Sequence, residues 1–112
     1  MSRSDDDRLR DVEAACTAIG SYVTRIDFDN EIVFDAIRAR LIEIGEAVKD
    51  IQPGLLSQES EIPWKEISRM RDQLTHRYFD TTHSIVHATA INDVPKLAAA
   101  VHRILQKSSM SR

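Results

Sequence analysis

Residues 33–54 read VFDAIRARLIEIGEAVKDIQPG. Val33, Ile37, Leu41, Ile44, Val48 and Ile51 recur there at steps of three and four, the repeat of one face of an α-helix. The run ends at Pro53-Gly54, a pair that breaks helices. This is the most regular apolar stripe in the chain, and it sets the expectation of a helical fold.

On the N-terminal side, Leu9, Val12, Cys16, Ile19, Val23 and Ile26 repeat the pattern, which predicts a helix over about residues 5–26. Asp5, Asp6 and Asp7 suit its positive N-terminal end. On the C-terminal side, LLSQESEI (residues 55–62) has no sustained period and reads as a loop or short turn. Pro63 can sit in the first turn of a helix reaching about Phe79. Thr81 or Thr82 can cap a short helix ending near Ile91, and Asn92 or Asp93 can cap a last helix that tolerates Pro95 in its first turn. No credible strand remains. The expected architecture is all-α: an antiparallel four- to five-helix bundle forming one domain over residues 1–112, with about 1–4 and 107–112 frayed.

Composition narrows the function. A chain of 112 residues can bury a real core, but its chemistry must sit on one small scaffold or between copies of it. Lys and Arg total 15 against 18 Asp and Glu, so no global basic field points to a nucleic acid, and any such contact must use a local patch. The single Cys16, set among alanines, excludes an internal disulfide framework and suits a buried thiol, which leans toward a reduced, cytoplasmic setting. The opening MSRSDDDR lacks the apolar region of a signal peptide, and no apolar run approaches a membrane span, so a soluble protein is expected.

Within the expected third helix, from Pro63 to about Phe79, residues 71–78 read RDQLTHRY. At about 100° per residue, Trp64, Ile67, Met70, Leu74 and Tyr78 share one face, which is core. Asp72 and His76 lie together on the opposite side as an i, i+4 pair, and Arg71 stands at the border. Arg71 and His76 are therefore about 140° apart. They meet only if the arginine wraps round, the helix loosens near its C-terminal end, or a second copy of the chain completes the site. Two such helices across a two-fold axis would set both pairs around one cleft.

The chemistry of these residue types is specific. An imidazole can take a proton from a ribose 2'-hydroxyl or return one to a leaving 5'-oxygen. Arginine presents a fixed fork of donors to phosphate oxygens and can stabilise a pentacoordinate phosphoryl transition state. Asp72 could accept from His76, and Lys65, Arg69, Arg71 and Arg77 against Glu66 and Asp72 leave this segment with a local charge of +2. The plain reading is that Asp72 and His76 form an ordinary solvated pair and Tyr78 a packing residue.

Two further features stay open. Gly45 in mid-helix costs about 1 kcal/mol of helix propensity relative to alanine, so something must offset it. Close helix approach is the favoured reading; room for a neighbour's Arg71 or for RNA, with Glu46 orienting the arginine, is the functional one. His83 and His87 have an i, i+4 spacing that zinc sites use, yet no cysteine or further strong ligand pair accompanies them, and neither a metal nor a cofactor is expected.

The order of pieces adds to this. ARLIEIGEAVKDI (residues 39–51) followed by EIPWKEISRMRDQLTHRYF (residues 61–79) resembles the HEPN superfamily, and within it the HepT-like toxins paired with minimal nucleotidyltransferase antitoxins. The resemblance runs from about residue 8 to 105; its more specific segments are Ile44-Gly45-Glu46-Ala47, Ile62-Pro63-Trp64 and the Asp93–Leu97 start of the last helix. It implies a homodimeric, metal-independent endoribonuclease of a type VII-like toxin–antitoxin system, with Arg71, Asp72 and His76 as its signature. It also implies that Tyr78 accepts adenylyl groups from the nucleotidyltransferase antitoxin. Transfer RNA is a substrate the resemblance admits, and nothing in the residues selects it over messenger RNA. Asp80 stands where many relatives have glycine, His87 where a large aromatic is frequent, Arg69 where a small residue is often found, and Asp72 where asparagine is also common. The competing expectation from a different class is a non-catalytic helical module holding a nucleotide or the nucleotidyltransferase; a purely structural helical dimer is the third.

Overall fold

The computed structural model describes residues 4–25, 30–76 and 83–110, and all its regular structure is helical. Helix α1 spans Asp5–Val23, α2 Glu31–Lys49, α3 the single turn Pro53–Leu56, α4 Trp64–His76, α5 His83–Ala88 and α6 Val94–Met110. A 3-10 turn, Ser57–Glu59, follows α3, and a π-helical turn, Thr89–Asp93, joins α5 to α6.

The helix starts follow from local chemistry. Ser4 accepts from the Asp7 amide at 3.1 Å, and Asn30 accepts from the Ile32 amide at 2.7 Å, so each N-cap satisfies a donor the helix itself leaves unpaired. The acidic first turn of α1 lies at the positive end of its dipole. Helix α1 stops at Val23, short of the expected residue 26. Ser21 and Thr24 there turn their hydroxyls onto the carbonyls of Ala18 (2.7 Å) and Ser21 (2.8 Å), a local alternative to helix propagation.

The core is one cluster that joins these elements. All six stripe positions are buried, Val33 to Val48 on α2 and Ile51 just past its end at Lys49. Leu9, Val12, Cys16 and Ile19 of α1 and Val94, Leu97, Val101 and Ile104 of α6 meet them. Ile26 lies outside the described residues. Neighbouring long helices run antiparallel, as their cross-links show. Arg40 reaches the Tyr22 hydroxyl at 3.4 Å between α2 and α1, and Ser108 donates to Asp6 at 3.2 Å between α6 and α1. That second bond helps carry α6 through Met110, although the sequence from Lys107 onward reads as a frayed tail.

The expected break before the last helix is corrected. Asn92 and Asp93 cap nothing: both lie inside the π turn, through which α5 continues into α6. The Val94 amide donates to the Thr89 carbonyl five residues back. Pro95 explains the widening, because it has no N–H for an i→i−4 bond and its ring crowds the carbonyl four residues earlier. Thr81 and Thr82 lie outside the described residues.

The stretch before α4 is ordered by α3 and the 3-10 turn. Trp64 Nε1 donates to the Glu59 carbonyl at 3.0 Å, and Arg103 of α6 donates to Glu59 Oε1 through Nη2 at 2.6 Å and Nε at 3.1 Å. These bonds fix where α4 begins, and Pro63 stands just outside it, its carbonyl accepting from the Ile67 amide at 3.1 Å. No helix among the described residues is long and apolar enough to cross a membrane.

Candidate active site

Helix α4 lies antiparallel across α2, and two contacts set its position. At the first, Gly45 leaves room for the α4 backbone: a Cβ there would come 3.0 Å from the Ile67 carbonyl oxygen and 3.2 Å from the Arg71 nitrogen. Glycine therefore allows a helix approach that any side chain would oppose. At the second, Arg38 Nε and Nη2 both donate to the Leu74 carbonyl, at 3.1 and 2.7 Å.

The expected core face of α4 is confirmed for the residues described. Leu74 is buried, and Trp64, Ile67 and Met70 pack against the core. Asp72 and His76 are exposed, and Arg71 is intermediate, with 35% of its side chain accessible. Lys65 and Arg69 are exposed on the same side as His76. Arg77 and Tyr78 lie outside the described residues.

Arg71 sits between two carboxylates. Its Nε donates to Glu46 Oε1 at 3.2 Å and its Nη1 to Asp72 Oδ1 at 2.9 Å. The close-approach reading of Gly45 thus holds: Gly45 admits α4, and Glu46 reaches the guanidinium of Arg71 within the same chain. Asp72 takes its hydrogen bond from Arg71 rather than from His76, which corrects the pairing suggested by i, i+4 spacing. The reason is reach, since Glu46 holds the guanidinium where its other arm meets Asp72. Arg71 thereby reaches Asp72, which lies on the side of α4 that carries His76, while α4 remains regular through His76.

The charges respond to this arrangement. The Arg71 guanidinium holds the Asp72 carboxyl below the usual range, with Lys49 and His76 acting in the same direction. The hydrogen bonds that Arg71 donates to Asp72 and then to Glu46 raise its own pKa further. An arginine and a histidine thus share the exposed rim of α4, with Lys65 and Arg69 along the same face, and their donors can engage a phosphodiester.

A family model, Ribonuclease HepT-like, matches residues 12–104. The chain belongs to that family. Among relatives of this HepT-like chain, a protein named as an RNase from Caldanaerobacter subterraneus subsp. tengcongensis is 40% identical over 82 residues, covering 72% of this chain and 73% of the relative. A protein named as ribonuclease HepT from Thermococcus cleftensis is 36% identical over 109 residues, covering 93% and 98%. A protein named as an RNase from Methanocaldococcus jannaschii is 33% identical over 91 residues, covering 72% and 75%. No solved structure matches the chain.

Other clusters lie apart from this rim. An apolar cleft of about 650 Å³ runs between α4 and the α5–α6 segment, lined by Ile67, Met70, Ile85 and Leu97 but by none of Arg71, Asp72 and His76. His83 stacks on Phe34 with ring centroids 3.9 Å apart, and the His83 and His87 rings are 6.2 Å apart and tilted. No group of three or more His, Cys, Asp or Glu among the described residues is placed to hold a metal ion. Arg38 was missed by motif reading. The usable signal was its position, seven residues or about two helical turns before Gly45, which puts it on the same side of α2.

Proposed function

We propose that the HepT-like chain is the toxin of a type VII-like toxin–antitoxin pair, a cytoplasmic, metal-independent endoribonuclease that cuts RNA through Arg71 and His76. The observation that carries this reading is the guanidinium of Arg71, held by Glu46 and Asp72 on the rim that also presents His76, in a chain of a ribonuclease family. Arg71 binds the scissile phosphate and offsets the charge that builds on its oxygens. The imidazole takes the proton as the 2'-hydroxyl oxygen bonds to phosphorus. The 5'-oxygen leaves with a proton, and a 2',3'-cyclic phosphate remains. Asp72 acts through Arg71, and Lys65, Arg69 and Arg77 contribute phosphate contacts along the strand.

A homodimer completes the site in this reading, because two copies across a two-fold axis place two Arg71–His76 pairs around one cleft. A minimal nucleotidyltransferase antitoxin silences it by adenylylating Tyr78. The added phosphate would compete with RNA for Arg71. Transfer RNA and messenger RNA are the two candidate substrates in this reading.

The deciding experiment compares purified wild type with His76→Ala on both RNA classes, with helicity and melting as the control for folding. Cleavage to cyclic-phosphate ends by wild type and none by His76→Ala is expected. Cleavage retained by a folded His76→Ala sinks the assignment. Binding of RNA or the nucleotidyltransferase without any cleavage by unmodified wild type selects the non-catalytic module instead. Mass analysis of chain co-expressed with the nucleotidyltransferase, seeking adenylyl increments on Tyr78, tests the control step.

A further inference from the structure

Helix α4 is tied to α2 twice, and the two candidate catalytic residues fall on either side of the second tie. Arg71 lies within the first, where Gly45 meets its backbone and Glu46 its guanidinium. His76 lies beyond the second, two residues past Leu74, whose carbonyl takes both arms of Arg38. A charged donor pair on one carbonyl oxygen is among the stronger protein hydrogen bonds.

We infer that Arg38 is a positioning residue: its hydrogen bonds to the Leu74 carbonyl hold the last turn of α4 so that His76 faces the phosphate bound by Arg71. The inference rests on the ribonuclease reading for its consequence and on the α2–α4 contact for its geometry. Arg71 keeps its own tie when Arg38 is removed, so phosphate binding persists while the imidazole loses its alignment. Proton transfer depends on placement within hydrogen-bond reach, and misplacement of about 1 Å can cost about a hundredfold in rate. Lysine at this position brings the charge without the two-armed geometry, so it restores only part of the effect.

The test measures RNA cleavage by wild type, Arg38→Ala, Arg38→Gln and Arg38→Lys, together with amide hydrogen exchange at Thr75 and His76. Arg103→Ala, which breaks the tie to Glu59 far from α4's C-terminal end, serves as the stability control. Arg38→Ala should lower kcat about tenfold to a hundredfold with KM unchanged, speed exchange at both amides, and be partly rescued by Arg38→Lys. Arg103→Ala should lower the melting temperature and leave kcat alone. A folded Arg38 variant with wild-type kcat, or a loss carried by KM instead, overturns the inference. If wild type fails to cleave, or His76→Ala cleaves as well as wild type, the ribonuclease reading is what fails. Exchange at Thr75 and His76 then still decides the tie, and unchanged protection overturns it. Should Arg38→Ala not fold, the glutamine and lysine variants carry the comparison.

Discussion

Gly45 of α2 lies directly beneath Arg71 of α4: a Cβ built on the glycine would stand 2.8 Å from the Arg71 Cβ. That atom is fixed to the backbone and cannot swing away as the far end of a side chain could. The mid-helix glycine, unfavourable by propensity, is therefore what lets Arg71 settle where Glu46 can hold it.

Gly45→Ala should consequently destabilise the HepT-like fold, because α4 must lift from α2 before the methyl fits. The overpacking cost is about 1–3 kcal/mol against the roughly 1 kcal/mol of helix propensity regained. Gly20→Ala is the matching control: nothing lies within 4 Å of its added Cβ, and α1 should gain stability of about 1 kcal/mol. Urea unfolding of both variants checks the opposite signs, and equal shifts would contradict the close approach.

Asp72→Asn should tighten RNA binding. The carboxylate occupies one arm of Arg71 and repels phosphate, whereas the amide keeps an acceptor and loses the charge. The Asp72 pKa is depressed, so the Arg71–Asp72 pairing is complete above the ordinary carboxylate range and is lost only as pH falls through the lowered value. The difference in RNA affinity between Asp72→Asn and wild type should thus persist throughout neutral pH and shrink in acid. Titrations at several pH values read it directly.

Glu59 supplies a stability prediction on the other side of the molecule. Its carboxyl, tied to Arg103, is held below the usual range chiefly by that hydrogen bond. The stabilisation is present above the pKa of an unfolded glutamate and disappears as pH falls through the depressed value. Glu59→Gln should melt below wild type at neutral pH, with the two curves converging in acid. A gap that widens on acidification would contradict this account.

Cys16 is expected to be inert in the folded chain. Burial, and secondarily the Glu13 carboxylate, push its thiol up to about 12, so little thiolate forms at mildly alkaline pH. A thiol reagent should leave the native protein unlabelled and react fully once urea unfolds it. Fast labelling of native protein would place Cys16 outside the core.

The helical architecture was legible in the sequence because burial selects one face of a helix, and a repeat of three and four records that face. The stripe from Val33 to Ile51 is buried at every expected position, and Leu74 with its neighbours confirms the inner face of α4. Arg71, His76 and the unusual Gly45-Glu46 pair could likewise be singled out from residue type and spacing. Which groups touch could not. Asp72 pairs with Arg71 instead of His76 because Glu46, on another helix, steers the guanidinium. Arg38 meets the Leu74 carbonyl only because α2 and α4 lie antiparallel at a distance that Gly45 permits. The turn around Thr89–Asp93 is π-helical rather than a new cap, since packing keeps one helical path despite Pro95. Periodicity encodes the direction in which a side chain points from its own helix. The distance and register between helices, which decide hydrogen-bond partners, arise only when the cores are packed together.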